Sequence, residues 1–395
     1  MKMLNASTAS ALLCALALAG CGGGAPEPSP ADLPALKSAA SSPPGRLAQH
    51  LAGCPAAASG TYRSIALDGR THTGRFDFEA MMYWPDDSSA AGWTLSPIAP
   101  CEFTAVGRNE RGEVETVTFA IGKHGAGIFR ATSSQQPDDW QSSAIGHVFP
   151  VQMHAVPELK GVWNMLESGA ATVGQSAAPG HSFSRVSLHE SGSASVCENG
   201  LFEEQACKDA PTLALVTNPR GGFDLKEAKG ASRARARLFA FRGFDGLLTL
   251  YGTMNPAGDE LAPRRTVLVG APARRLDLPP ESAVVRYWEV SNIASGWTGF
   301  YNAGAVQMAR VDPVAGTVTR LLNADSPSDQ YDVLHYNRPI DGVRFRPART
   351  WTNHRGMTSY SPDMFYLPLA SGAVVVVNAN TVDGHHHSIA LFKPN

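Results

Sequence analysis

Val114-Glu115-Thr116-Val117-Thr118-Phe119 follows Asn109-Glu110-Arg111-Gly112. Read as a strand after a turn, it puts Val117 and Phe119 on one face and Thr116 and Thr118 on the other. The same period of two occurs upstream in Arg75-Phe76-Asp77-Phe78-Glu79. Downstream, Val311-Asp312-Pro313-Val314-Ala315-Gly316-Thr317-Val318 reads as strand, turn and strand. There Pro presets the φ of the turn and Gly supplies a positive φ. Ala373-Val374-Val375-Val376-Val377 is a short apolar run of the kind that forms a buried strand. No long segment with a 3.6-residue period and capping residues stands out. The pattern predicts an all-β chain built mostly of antiparallel sheet.

The strands suggest a faint internal repeat, the alternative being a pattern that antiparallel hairpins share in general. Gly60-Thr61-Tyr62-Arg63, Gly161-Val162-Trp163-Asn164 and Gly299-Phe300-Tyr301-Asn302 share a glycine, a spacer, an aromatic ring and a polar residue. Each opens a section that ends in a strand pair. The first pair is Gly127-Ile128-Phe129-Arg130 with Gly146-His147-Val148-Phe149. The second is Gly246-Leu247-Leu248-Thr249-Leu250 with Arg265-Thr266-Val267-Leu268-Val269. The third is Gly372-Ala373-Val374-Val375 with His387-Ser388-Ile389-Ala390-Leu391. Self-similarity at this scale predicts units at 54–158, 159–280 and 281–395, with Pro279-Pro280 as the clearest internal boundary. A chain of 395 residues also exceeds the usual size of one core. The expected architecture is two or three antiparallel β-sandwich or barrel-like units. The opening Gly-x-Trp triplet resembles the first strand of lipocalin-like barrels.

The N-terminus gives an address. Lys2 precedes the apolar stretch Ala11-Leu12-Leu13-Cys14-Ala15-Leu16-Ala17-Leu18-Ala19, the layout of a secretory signal. The stretch is shorter than the roughly 20 apolar residues that span a bilayer. Leu18-Ala19-Gly20-Cys21 resembles the lipobox of bacterial lipoproteins. That resemblance implies a signal peptide over 1–20, cleavage before Cys21, a thioether-linked diacylglycerol on Cys21 and acylation of its new amine. Two or more acyl chains anchor a protein stably where one does not. By the same resemblance, Gly22 in place of an aspartate implies the outer membrane; the periplasmic face is the expected placement. Residues 21–53 then form the anchor and a disordered tether. Gly22-Gly23-Gly24, the prolines at 26, 28, 30 and 34, and Ser41-Ser42-Pro43-Pro44 cannot bury a core.

A net charge of −2 implies no nucleic-acid or strongly polyanionic partner. Once the signal and lipid cysteines are set aside, Cys54, Cys101, Cys197 and Cys207 remain, an even number that fits an oxidising compartment. Three pairings are open. Cys54–Cys101 with Cys197–Cys207 keeps each bridge inside one unit. A metal or redox site is the alternative, but no Cys-x-x-Cys occurs.

Catalytic signatures are absent from the sequence. It holds no Gly-x-Ser-x-Gly, Ser-x-x-Lys, His-Glu-x-x-His or phosphate-binding glycine loop. His385-His386-His387 would place His385 and His387 on one strand face, where they could share a metal with a third ligand. Arg233-Ala234-Arg235-Ala236-Arg237 alternates too, so Arg233, Arg235 and Arg237 form a row of guanidinium forks suited to phosphate or carboxylate. Arg344 and Arg346 repeat the theme around Phe345. The aromatics Tyr83, Trp84, Trp93, Trp288, Trp297, Trp351 and Tyr360 suit either a ligand groove or the β-cores themselves. The reading these features support is a lipid-anchored envelope module without a cofactor. It would be a non-catalytic binding or structural module, with an envelope glycan, lipid or protein as its partner. The alternative is a hydrolase of envelope material whose site, built from dispersed loops, would lie between 331 and 387.

Overall fold

The computed structural model describes residues 54, 56–67, 69–85, 91–108, 112–133, 144–168, 181–198, 212–227, 234–254, 266–293, 297–300, 303–325, 330–352, 358–379 and 386–394. The expected signal, Cys21 and tether lie outside these residues. The chain is all-β and forms three closed antiparallel barrels.

The first barrel runs β1 (Gly60–Ala66), β2 (Thr71–Asp77), β3 (Met82–Trp84), β4 (Trp93–Ala99), β5 (Glu102–Arg108), β6 (Val114–Ile121), β7 (Gly127–Ser133) and β8 (Ala144–Pro150). Neighbours in sequence pair in order, and β8 closes onto β1. Its interior is packed with rings. Phe76 lies 4.9 Å from Tyr62, 4.8 Å from Tyr83 and 4.8 Å from Phe119. Gly107 leaves room for the Trp93 indole, which would meet a Cβ there at 2.3 Å. Cys54 and Cys101 are bridged, tying the entry segment to the turn between β4 and β5 across 47 residues. A loop of that length predicts that C54S/C101S loses about 2–4 kcal/mol in chemical denaturation. An unchanged midpoint would show the bridge to be idle.

The second barrel runs β9 (Gly161–Ser168), β10 (His181–Leu188), β11 (Ser193–Glu198), β12 (Thr212–Thr217), β13 (Phe223–Glu227), β14 (Ala236–Arg242), β15 (Leu248–Met254) and β16 (Thr266–Pro272), and β16 closes onto β9. Trp163, Met165, Leu213, Phe223, Leu238 and Leu250 fill it. A 3-10 turn, Val156–Leu159, joins the two barrels. Its Glu158 accepts the Ala155 N–H at 2.7 Å and faces Arg242 at 3.0 Å. Those bonds, with one from His154, hold its carboxyl down at about 2. Cys197 is disulfide-bonded; Cys207, its expected partner, lies outside the described residues.

The third barrel runs β17 (Val284–Ile293), β18 (Trp297–Phe300), β19 (Gly304–Asp312), β20 (Thr317–Leu321), β21 (Tyr331–Tyr336), β22 (Arg344–Arg346), then a separate hairpin, β23 (Arg349–Thr352) with β24 (Thr358–Ser361), then β25 (Met364–Pro368), β26 (Ala373–Asn378) and β27 (His386–Phe392). β18 and β19 follow one another along one edge of β17, and β27 pairs with its other edge, closing the ring. The β19–β20 turn is as the sequence predicts. Asp312 accepts the N–H groups of Val314 and Ala315 at 3.0 and 2.9 Å, and Gly316 has φ 66°. The third Gly-x-aromatic motif does not open a barrel: Gly299 and Phe300 end β18, and the first strand is β17.

The barrels share one core. Strand alternation gives each wall two faces, and on several strands both are apolar. Ile65, Ile128 and Phe149 of the first barrel, Phe239, Tyr251 and Val269 of the second, and Val290, Val375 and Leu391 of the third belong to one buried cluster. Equivalent hairpins also meet there, each joining the sixth and seventh strands of its barrel. Gly125, Gly246 and Gly372 take φ of 89°, 78° and 85° in the three turns, a region open to glycine at no steric cost. Phe244 of the second turn lies over Gly125 of the first. His124 of the first sits so near Gly372 of the third that a Cβ there would meet it at 2.9 Å.

Candidate functional site

The three interiors differ. The first two hold aromatic rings and long aliphatic chains. The third is lined in part by valines: Val285, Val306, Val374 and Val376 all face inward. Valine is too short to meet its counterpart across an eight-stranded ring. A cavity of about 830 Å³ is left, within the range of roughly 300–1,000 Å³ typical of small-molecule sites.

Its charged side chains come from β17, β20, β21 and β22. Arg320 and Asp332 are direct cross-strand partners. They form a fork, with Arg320 Nε to one carboxylate oxygen at 2.9 Å and Nη2 to the other at 2.7 Å. Bidentate geometry of this kind makes a strong, oriented pair. Arg346 Nη1 stands 4.0 Å from the same carboxylate, and its Nη2 donates to Ser361 Oγ and, at 3.0 Å, to the Pro362 carbonyl. The Arg344 guanidinium lies 4.5 Å from the centre of the Tyr336 ring, a cation–π contact. Burial pulls Arg344 below its ordinary value; arginine remains charged even so. Burial raises the Glu289 carboxyl above the usual range, against the pull of Ser388 and Arg320. Three guanidiniums therefore face two carboxyls, one of them biased toward its neutral form. Tyr287, Tyr336 and Tyr366 add aromatic faces, and Met308, Met364 and Phe392 continue the apolar lining.

The described lining contains neither histidine nor cysteine, and its Asp332 and Ser361 are held by arginines. Nucleophilic catalysis needs a nucleophile beside a base that can take its proton. Ser388 is the lining hydroxyl that stands beside a carboxyl, that of Glu289, which burial disfavours in the ionised form that would accept a proton. The arrangement is suited to binding.

The other candidate residues fall elsewhere. Arg344 and Arg346 lie in the cavity, but Arg235 and Arg237 do not. Arg233 is outside the described residues, Arg235 is exposed on a bend, and Arg237 spends its charge on Asp224 at 3.1 Å. His385 is outside the described residues. His387 is buried in the seam between the second and third barrels, where its Nδ1 lies 2.6 Å from Ser168 Oγ. Ser168 Oγ is also 2.9 Å from His181 Nδ1. Among the described residues no three His, Cys, Asp or Glu side chains gather for a metal. Of the candidate aromatics, Tyr83 and Trp93 pack into the first barrel and Trp288 into the shared core, whereas Tyr360 is exposed. Trp84 lies under the Arg75 guanidinium, and the side chains of Trp297 and Trp351 are outside the described set.

Arg320, Asp332 and Glu289 were not singled out in the sequence. Their signal was a charge on the apolar phase of a strand. Val318, Arg320 and Leu322 share one phase, as do Asp332, Leu334 and Tyr336.

No family model matches the chain, and no curated protein matches it in sequence. Among solved structures it is similar to a double mutant of transferrin binding protein B, a vaccine antigen, from Haemophilus parasuis Hp5. Identity is 7%, 84% of this chain and 66% of that chain are covered, and the TM-score is 0.24. The chain thus spans just under two thirds of that structure. It is also similar to isotype 1 transferrin binding protein B from serogroup B Neisseria meningitidis. There identity is 7%, the covered shares are 85% and 76%, and the TM-score is 0.22.

Proposed function

We propose that the protein is a non-catalytic envelope binding module that takes up a small amphipathic molecule in its third barrel. The observation that carries this reading is the cavity of about 830 Å³ beside two barrels whose interiors are filled. Apolar walls with a few oriented polar groups are the usual make-up of such sites. The lipobox resemblance supports attachment through Cys21 to the outer membrane, on its periplasmic face, with a flexible tether over 21–53. The Cys54–Cys101 bridge fits the oxidising compartment that such export implies.

Two measurements test the two halves of the proposal. C21S should move the protein from the membrane fraction to the soluble periplasm; retention in the membrane would mean that another element anchors it. A neutral solvatochromic dye such as Nile red should bind the soluble form at one site per chain. Val376→Trp, which fills the cavity, should abolish that site without changing the fold seen by circular dichroism. Equal dye binding by wild type and V376W would place the ligand outside the barrel.

A further inference from the structure

Resting on that reading, we infer that the ligand is a single-chain amphiphile with an anionic oxyacid head, a carboxylate or phosphate, received by Arg344 and Arg346. The two arginines alternate on β22 around Phe345, so both point to the barrel interior while Phe345 packs on the other side against Phe365. Two residues along a strand span about 7 Å, close enough for two guanidinium forks to converge on one oxyanion.

The charges already present do not satisfy them. Asp332 gives both of its oxygens to Arg320. Arg346 stands at the limit of ion-pair distance from that carboxylate, and Arg344 has a ring face rather than a carboxylate beside it. The Nε atoms of Arg344 and Arg346 are both buried and without a hydrogen-bond partner among the described residues. Burial disfavours the ionised form of Glu289, the other lining carboxyl, against the pull of Ser388 and Arg320. A buried guanidinium without a counter-charge is unfavourable, and planar forks match carboxylate and phosphate geometry. An anionic head would complete this set. The chain would then lie along Met308, Met364, Val374, Val376 and Phe392, which offer only apolar contact.

The test is displacement of Nile red from the soluble form by four twelve-carbon competitors: laurate, dodecyl phosphate, dodecanol and dodecyltrimethylammonium. Laurate or dodecyl phosphate should displace the dye at concentrations at least tenfold below dodecanol, and the cation should be the weakest. If only one of the anions is favoured, the head group is assigned to that oxyacid. Arg344→Gln should bring the potency ratio of the anions to dodecanol down to about one, and a circular dichroism spectrum and thermal melt matching the wild type show that the variant is folded. Equal potency of laurate, dodecyl phosphate and dodecanol in the wild type, or unaltered anion preference in both R344Q and R346Q, would overturn the inference and leave the cavity reading standing. Failure of Nile red to bind the wild type at all would remove both.

Discussion

Tyr251→Ala should destabilise the whole protein by about 3–5 kcal/mol, the cost of emptying a buried aromatic site. Tyr251 is fully buried, and it touches all three barrels although it belongs to the second. Its ring stacks on Phe149 of the first barrel at 4.3 Å and lies 4.9 Å from His147. Its hydroxyl donates to Ser371 Oγ of the third barrel at 2.7 Å, in the turn where the three hairpins meet. Ser371 N–H in turn donates to Thr249 Oγ1 at 3.0 Å. Tyr251→Phe keeps the stack and loses only the hydroxyl bond, so it should cost about 1 kcal/mol. Guanidinium denaturation followed by tryptophan fluorescence and circular dichroism measures both. The shared core requires the Y251A loss to appear in one transition seen alike by the two probes. A loss below 1 kcal/mol, or an early transition confined to part of the signal, would show the barrels to be energetically separate.

The second large effect is a pH dependence centred on His147. The residue is 0% exposed, and neither ring nitrogen has a hydrogen-bond partner among the described residues. Burial without a compensating charge lowers its pKa from 6.5 to about 3. Between those values the unfolded chain binds a proton that the folded chain refuses, so unfolding is favoured as the pH falls. The contribution of His147 is fully present above pH 6.5 and is lost progressively as the pH approaches 3. At about 1.4 kcal/mol per unit, the loss reaches about 3 kcal/mol by pH 4. Other groups titrate in this range too: Glu158 is held low, while burial raises Glu102 and Glu289. The informative quantity is therefore the difference between wild type and His147→Leu. H147L should be at least as stable as wild type at pH 7, because it removes an unsatisfied polar ring, and should gain on wild type steadily below pH 6.5. Parallel stability curves from pH 7 to pH 4 would mean that His147 titrates normally, and hence that the junction admits water.

Much of this architecture is written in the period of two. The alternation at Val117 and Phe119, the Asp312–Gly316 turn and all three terminal strand pairs reappear as β6, the β19–β20 turn and the hydrogen-bonded pairs β7–β8, β15–β16 and β26–β27. The start of the third barrel was not legible from its motif. β1 and β9 begin at glycines with φ of 153° and 147°, whereas β17 begins at Val284 without one. The cavity was hidden for another reason. Alternation says which residues share a face but not which face is the inside of a barrel. In Arg344-Phe345-Arg346 the pattern suggests charged residues turned to water and a ring turned to the core. Here the ring faces the core between barrels and the arginines face the hollow, so both sides of the strand are covered. In Ala234-Arg235-Ala236-Arg237 the usual sense holds, with Ala236 inside the second barrel and Arg237 outside on Asp224. Only closure of the sheet separates the two cases.

The shared core also constrains how such a chain can change over generations. A bead-like protein gains or loses a domain by adding or deleting a stretch of gene, because each bead has its own finished surface. Here the outward faces at Ile65 and Phe149, at Phe239 and Val269, and at Val375 and Leu391 are finished by one another. Deleting any one barrel would strand apolar walls on the other two, and inserting a fourth would have to reopen a junction that three turns already fill. The heritable unit is the triplet. Within it, the interiors of the second and third barrels, which hold clusters of their own, are freer to diverge than that of the first, whose rings Phe76 and Phe119 run into the common core. That freedom is what allows one barrel to be hollow and charged while its two neighbours stay full.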